Sequence, residues 1–368
     1  MKTNKIIIAV FTVFLAVAML VNLLPDKEFS DLENRYLSSA VTPSIETIVD
    51  GTFMEDFETY IEDQYPLRNF LIKLKNQVEI ALLKKEINST YIGKDGYYFV
   101  KNNIDNTEQF IKNLTYINEF IDNVDANVKF LPIFSSYTIY EELLPKYAEV
   151  FDELVYLDLV KEYLDIEVID SLEEIMNHKD EHIYFKSDHH WTNLGAYYAY
   201  LKVCEAYDIE PITLEERTKI TSDELFYGTL YSRAPLFGYV GDEFTYYDSM
   251  NKFTVHITEK NETYDSLYFE EHMDAKDQYV TFLNGNQAEV IIEGGNPEGD
   301  SLLILKDSFT HALAPLLADH FSEIRLVDLR YYHGSMQEYV EMNEIDEVLF
   351  SYNLAWMSED KNLYQLKK

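Results

Sequence analysis

Apolar residues follow three different rhythms along this chain. The first is a run from Ile6 to Leu24, interrupted only by Thr12 and Asn22. Its 19 residues make a helix of roughly 28 Å, close to the hydrocarbon thickness of a bilayer. Lys2 and Lys5 precede it, and Pro25, Asp26 and Glu28 end it. Positive charge before the run and acid after it orient the N-terminus to the cytoplasm and everything downstream outside. The pattern predicts a cytoplasmic stub (1–5), a transmembrane signal anchor (6–24) and a single-pass cell-membrane protein with an extracytoplasmic C-terminal domain. Ala16-Val17-Ala18 resembles a signal-peptidase site, so secretion after cleavage is the alternative. The apolar run continues past that site through Met19-Leu20-Val21, which suits an anchor better.

The second rhythm is helical. Residues 25–66 are polar and acidic, punctuated by Pro43, Gly51 and Pro66, and predict a juxtamembrane stalk with a short helix around Phe53–Ile61. Leu71, Leu74, Val78 and Leu82 recur at helical spacing and predict an amphipathic helix over Leu67–Ile87. A further helix is expected from about Thr107 to Asn123. Between the two, Asp95-Gly96 sits between aromatic runs, a hairpin signal.

The third rhythm is of short, wholly apolar runs: Val128–Phe134, Ile166–Ile169, Leu302–Leu305, Ile324–Val327 and Val348–Phe350. Separated by helical stretches, they predict a doubly wound α/β domain with a parallel sheet over residues 67–368. The interval of about 215–298 breaks the alternation. Phe244–Tyr247, Phe253–Ile257, Tyr279–Leu283 and Val290–Ile292, with a turn at Asn284-Gly285, predict a β-rich insertion.

Composition narrows the partners. The 368 residues carry 30 Lys+Arg against 66 Asp+Glu, a net charge of −36; without Lys2 and Lys5 the balance is 28 against 66, or −38. No basic cluster offers a phosphate-backbone footprint, so nucleic acid is excluded. Disorder is excluded too, because 47% of residues are hydrophobic and 15% aromatic. The field disfavours polyanionic acceptors and is expected to raise the pKa of nearby histidines. Cys204 is the sole cysteine, which rules out an intrachain disulfide and a thiolate metal cluster.

Two segments carry chemistry. In Lys186-Ser187-Asp188-His189-His190-Trp191-Thr192, a carboxylate and two imidazoles precede a helix whose expected N-cap is Thr192. An Asp-x-His pair supplies an orienting carboxylate and a base from one turn; the alternative is a loop in which Asp188 caps backbone amides. In Ser301-Leu302-Leu303-Ile304-Leu305-Lys306-Asp307-Ser308-Phe309, an apolar strand ends in Asp-Ser before a helix. Ser308 then sits at the carboxyl end of a parallel strand, where α/β proteins place ligands, with the Ser308 and Phe309 amides facing a developing oxyanion. The alternative is a serine that N-caps its helix. Pro315 should kink or shorten that helix.

The Asp-His-His-Trp run resembles the signature of the DHHW family of bacterial surface proteins, similar to the SGNH-hydrolase-like domains of alginate O-acetyltransferases, which pair Asp-x-His-Trp with a later Asp-Ser. The resemblance extends to Glu33-Asn34-Arg35, Gly51, Asp63…Pro66…Arg68, Ile92-Gly93-Lys94-Asp95-Gly96, Phe226-Tyr227-Gly228-Thr229-Leu230-Tyr231 and Asp328-Leu329-Arg330-Tyr331. It implies an SGNH-hydrolase-like fold and a Ser-His-Asp acyl-transfer site: Ser308 as nucleophile, His190 as general base, Asp188 as its orienter. Asp188 precedes Ser308 by 120 residues, an order permuted relative to ordinary SGNH esterases, and Lys306 stands where Gly usually precedes Asp-Ser. Phe309, Gly228, Asn353, Tyr231, Arg330, Tyr331 and Trp191 are candidate oxyanion or substrate contacts. Arg330 has an acidic partner as its alternative role.

The implied function is serine-dependent O-acyl transfer, acetyl in the first place, to or from a surface or exported polysaccharide. A multi-pass membrane acyltransferase is the implied acyl donor, and neither cofactor nor metal is needed. Two other readings stand beside it. One is a non-catalytic module that binds glycans or scaffolds an envelope complex. The other is a zinc peptidase, since His178-Lys179-Asp180-Glu181-His182 matches H-x-x-E-H; that motif needs one continuous helix through both histidines.

Overall fold

The computed structural model describes residues 5, 8, 9, 11–13, 25–102, 106–249 and 251–368, which fall into two compact units. The predicted anchor over 6–24 lies largely outside the described residues. Among the described residues no helix is long and apolar enough to cross a membrane.

The first unit comprises residues up to Asn88 together with Tyr231–Tyr239. It contains helices α1 (Ile45–Asp50), α2 (Thr52–Gln64) and α3 (Arg68–Ala81). Ser44 caps α1 through a capping box, and Gly51, at φ +89°, ends α1 and starts α2. The helix expected over Leu67–Ile87 stops at Ala81 because Leu83 turns left-handed at φ +68°. Asp63, buried, accepts from both Arg35 Nη1 (2.9 Å) and Nη2 (2.5 Å), and from the Ser38 amide (2.9 Å). Those bonds, led by Arg35, hold its carboxyl down at about 2. Arg68 pairs with Glu33 at 2.9 Å, so the acids and bases of Glu33…Arg35…Asp63…Arg68 form one clasp.

The second unit, Ser89–Leu230 with Val240–Lys368, is a mixed α/β domain. Strands β1 (Thr90–Ile92) and β2 (Tyr98–Val100) form the expected hairpin, turned by Asp95 and Gly96 at φ +53° and +82°. After α4 (Thr107–Ile121) come β3 (Asn127–Ile133), α5 (Glu153–Tyr163), β4 (Glu167–Val168) and α6 (Asn193–Ala206). The 215–298 interval follows with β5 (Thr218–Thr221), β6 (Thr245–Asp248), β7 (Thr254–Ile257), β8 (Glu262–Tyr264) and β9 (Glu289–Glu293). The chain closes with β10 (Ser301–Lys306), α7 (Thr310–Leu317), β11 (Glu323–Val327), α8 (Met336–Met342), β12 (Glu347–Asn353) and α9 (Leu354–Glu359).

Eight strands make one sheet in the order β8-β7-β9-β11-β10-β12-β3-β4. From β11 to β4 every pairing is parallel, and β9, β7 and β8 extend that sheet antiparallel. The interval is therefore only partly an inserted body: β7, β8 and β9 belong to the main sheet, while β5 and β6 pair with each other. The parallel strands are apolar throughout because both faces are covered; Leu302 to Leu305 and Val348 to Phe350 are fully buried. One expected strand is absent. Gln278–Thr281 is a 3₁₀ turn, which leaves the Tyr279–Leu283 segment with only an isolated bridge from Phe282 to Tyr268. Pro315 lies inside α7, which is eight residues long, as its ring predicts.

Candidate active site

Ser308 follows the carboxyl end of β10, one residue past Asp307. The N-cap of α7 is Phe309, not Ser308, and makes no side-chain capping bond. The serine hydroxyl instead meets His190 Nε2 at 2.8 Å. His190 Nδ1 donates to Asp188 Oδ1 at 2.7 Å, and the His190 amide reaches the same oxygen at 3.1 Å. Two segments 120 residues apart thus form a continuous Ser–His–Asp chain of hydrogen bonds.

Local sequence explains the loop's shape. A bridge between Tyr184 and Trp191 closes it at its base, and Thr192 caps α6 by accepting from the Gly195 amide at 3.2 Å. Trp191, fully buried, donates its indole N–H to the Phe309 carbonyl at 2.8 Å, and Asn193 Nδ2 donates to the Ala312 carbonyl at 2.7 Å. Those two bonds pin the loop to the start of α7. Trp191, expected as a substrate contact, is a structural anchor because its ring has no exposure to spare.

Asp188 is 1% exposed, yet it has four donors. Besides the two from His190, the Thr229 amide and hydroxyl reach Oδ2 at 2.7 and 2.8 Å. Burial alone would raise its pKa; the His189 and His190 charges, with the bonds from His190 and Thr229, outweigh that and hold it well below the carboxylate range. His189 Nδ1 lies 2.9 Å from Thr229 Oγ1, and its ring leans on His190 at 3.8 Å. Asp188, His189 and His190 offer ligand atoms within 4.8 Å of one another, enough to consider a cation, although Asp188 Oδ1 and His190 Nδ1 are already bonded together.

Several expected contacts are engaged elsewhere. The Phe309 amide donates to Asp307 Oδ1 at 2.9 Å, whereas nothing among the described residues accepts from the Ser308 amide. Asn353 is fully buried: its Nδ2 donates to Ile133 O and Ser135 Oγ, and its Oδ1 caps α9 through the Trp356 amide. Gly228 donates its amide to Ser187 Oγ at 3.1 Å. Glycine is required there by closeness, since an added Cβ would lie 2.4 Å from Asp188 Cβ. Tyr231 belongs to the first unit, where its ring stacks on Tyr239 at 5.0 Å. Arg330 takes its acidic partner: Nε and Nη2 grip Asp328 at 2.9 and 2.6 Å. Tyr331 is 48% exposed beneath the Arg330 guanidinium.

Beneath the serine lies a buried ionic cluster. Lys306, in the usual glycine position, touches His311 Nε2 at 2.8 Å and Asp328 at 3.5 Å. Burial lowers the pKa of Lys306; burial and the Lys306 charge drive His311 well down. Asp307 bridges the Phe309 and Asn353 amides, and burial lifts its carboxyl to about 6. The expectation that the acidic field raises histidine pKa values fails at His311 and at His320, where burial dominates and lowers them.

Sequence reasoning missed Thr229, Tyr279 and Asp277. Thr229 belongs to the Phe226-Tyr227-Gly228-Thr229 motif and directly follows Gly228. The Tyr279 ring stacks on His190 at 3.9 Å with 8° between planes. Asp277, two residues earlier, has its pKa raised by burial and by the Asp188 charge.

The H-x-x-E-H reading is overturned. The helix Leu172–Asn177 ends before His178, His178 bonds Glu181 at 2.7 Å, and His182 turns to Asp242 at 3.1 Å. No single helix carries both histidines.

Comparison with known proteins gives no match among curated proteins. Among solved structures, the chain is similar to a DHHW family protein from Eubacterium siraeum, 25% identical over 77% of this chain and 96% of that one, with a TM-score of 0.67. It is also similar to Bacillus cereus PatB1 bearing a sulfonyl adduct, 22% identical over 75% and 97%, TM-score 0.60. The O-acetyltransferase domain of Pseudomonas putida AlgJ aligns at 13% identity over 74% and 93%, TM-score 0.49. The DHHW family model matches residues 161–327, the stretch that holds Asp188, His190 and Ser308, so the resemblance read from the Asp-His-His-Trp run holds over that segment.

Proposed function

We propose that this protein is a serine-dependent O-acyltransferase, acetyl being the acyl group, acting on a polysaccharide outside the cytoplasmic membrane. The observation that carries the reading is the unbroken chain from Ser308 Oγ through His190 to Asp188, with Ser308 half-buried beyond a parallel strand. The fold is read as an SGNH-hydrolase-like doubly wound sheet with the site at the carboxyl ends of its strands. The apolar run before Pro25 is read as the anchor that holds the site at the outer membrane face, beside a multi-pass membrane acyl donor.

His190 Nε2 takes the proton from Ser308 Oγ as that oxygen attacks the ester carbonyl of the donor. The Ser308 amide is the donor available to the tetrahedral oxyanion. The carbonyl re-forms, the donor's alcohol leaves with the proton from His190, and Ser308 carries the acyl group. A sugar hydroxyl then gives its proton to His190 and attacks the acyl-serine; Ser308 recovers its proton as the new ester departs. Asp188 stays ionised throughout, orienting the imidazole and balancing its transient charge.

The PatB1 structure bears a sulfonyl adduct, and a sulfonyl fluoride probes the serine here. The full-length chain treated with phenylmethanesulfonyl fluoride is expected to gain one sulfonyl group on Ser308 and to lose p-nitrophenyl acetate hydrolysis in step. Ser308→Ala should take up no label. Equal hydrolysis by Ser308→Ala and wild type would sink the reading and favour a glycan-binding module.

A further inference from the structure

We propose that Tyr279 is the positioning residue that locks the His190 imidazole and the Ser308 turn into register, an inference that rests on the Ser308 reading above. Two observations meet at one side chain. The phenol ring lies flat against the His190 imidazole, 3.9 Å between centroids and 8° from parallel. The hydroxyl of the same residue donates to the Ser308 carbonyl at 3.1 Å and to the Phe309 carbonyl at 3.3 Å. The general base and the backbone that carries the nucleophile are therefore tied through one rigid group.

The ring has little freedom to yield. Tyr279 is 5% exposed, with Phe282 at 5.3 Å and Phe185 at 6.5 Å set edge-on and His311 at 6.2 Å beyond. Burial, reinforced by the Asp188 and Asp307 charges, raises its pKa well above the ordinary value, so the hydroxyl keeps its proton and remains a donor. The 3₁₀ turn Gln278–Thr281 is what presents the ring. The interval between the two catalytic segments thus supplies part of the machinery: Thr229 holds the carboxylate, and Tyr279 holds the imidazole and the serine turn.

The imidazole without this support keeps its bonds to Asp188 and Ser308 but can rock about the line that joins them. Proton transfer depends on that angle, and substrate affinity does not, so the effect belongs in kcat. Tyr279→Phe keeps the stacked ring and removes the hydroxyl; the Phe309 carbonyl retains Trp191 Nε1 and the Ser308 carbonyl retains the His311 amide, so no buried carbonyl is orphaned. Loss of the hydroxyl should lower kcat about 5-fold. Tyr279→Leu removes the ring as well and should cost about tenfold more.

The experiment measures kcat and KM for p-nitrophenyl acetate, and thermal midpoints, for full-length wild type, Tyr279→Phe, Tyr279→Leu and Ser308→Ala. Expected are unchanged KM, the graded fall in kcat, and partial rescue by Phe relative to Leu. The inference is overturned if both Tyr279 variants turn over at the wild-type rate while Ser308→Ala is inactive, which leaves the serine reading intact. It is equally overturned if kcat falls only in step with the thermal midpoint, without rescue by Phe. Should Tyr279→Leu fail to fold, the near-isosteric Phe variant still decides on the kcat–KM split. Wild-type rates in Ser308→Ala remove the ground from both.

Discussion

Gly228→Ala is the sharpest test of how the site is built. A Cβ at that position would lie 2.4 Å from Asp188 Cβ, 2.6 Å from Asp188 Oδ2 and 2.8 Å from the Ser187 carbonyl oxygen. Unstrained carbon–carbon contacts begin at about 3.5 Å, so one partner must retreat by about 1 Å. None of the three atoms is the loose end of a long side chain. Retreat of Asp188 stretches the 2.7 and 2.8 Å bonds from Thr229 beyond useful length. Each is a charged hydrogen bond worth about 1.5–3 kcal/mol, so together they cost on the order of 3–6 kcal/mol, more than the about 1–3 kcal/mol of overpacking strain. The backbone should therefore share the displacement, so Asp188 moves by less than about 1 Å and turnover should fall by less than the about 100-fold that a full 1 Å misplacement costs.

The assay is kcat for p-nitrophenyl acetate beside the thermal midpoint, with Gly238→Ala as the control. Gly238 has φ +71° and nothing within 4 Å of an added Cβ, so alanine there carries only the left-handed penalty of about 1–2 kcal/mol. The expectation is a kcat loss in Gly228→Ala and none in Gly238→Ala, although both lose stability. A Gly228→Ala protein with wild-type kcat and midpoint would refute the argument that this close approach fixes Asp188.

Two further predictions use the electrostatics. Thr229→Val keeps shape but removes the hydroxyl that donates to Asp188 Oδ2 and accepts from His189 Nδ1; kcat should drop about tenfold with KM unchanged. Wild-type kcat would show that the backbone amide suffices. Glu153 is fully buried, and burial lifts its carboxyl from 4.5 to about 7 despite bonds from Ser135 and Thr138. A folded-state pKa raised above the unfolded value means stability that is whole below about pH 4.5 and lost as pH rises through about 7, a change of about 3 kcal/mol. Urea unfolding at pH 5 and pH 8 should reveal it, and Glu153→Gln should flatten the difference; identical pH slopes in the two proteins would contradict the assignment.

Much of the fold was legible because buried parallel strands announce themselves. Leu302–Leu305, Ile324–Val327 and Val348–Phe350 are apolar on both faces, and each became a strand within a few residues of its expected ends. Tyr279–Leu283 has the same apolar character but no ladder; its neighbours are rings of the site rather than strands, and a sequence does not distinguish the two. Ser308, His190 and Asp188 were legible because strand-end Asp-Ser and Asp-x-His are local patterns. Which of the candidate amides is free was not legible, because a backbone amide is available only if no side chain claims it. Asp307 claims Phe309, and Ser187 accepts from Gly228; both contacts depend on carboxyl and hydroxyl rotamers that leave no mark in the sequence.

Net charge proved a poor guide to titration inside the site, for a reason of scale. The −36 total is spread over the chain, and at physiological salt its field fades over about 8 Å of solvent. Within the domain, nearest neighbours and burial decide instead. Asp188 is pushed down by His189 and His190 despite its burial, while Asp307 and Asp277 are pushed up chiefly by burial. His311, in the same cluster, is driven well down by burial and by Lys306, which favours its neutral form. Carboxyls close to one another in this site therefore have pKa values displaced in opposite directions under the same external field. The pH dependence of catalysis should accordingly respond to Thr229 and to Tyr279, which set the local contacts, and stay indifferent to removal of any distant surface carboxylate.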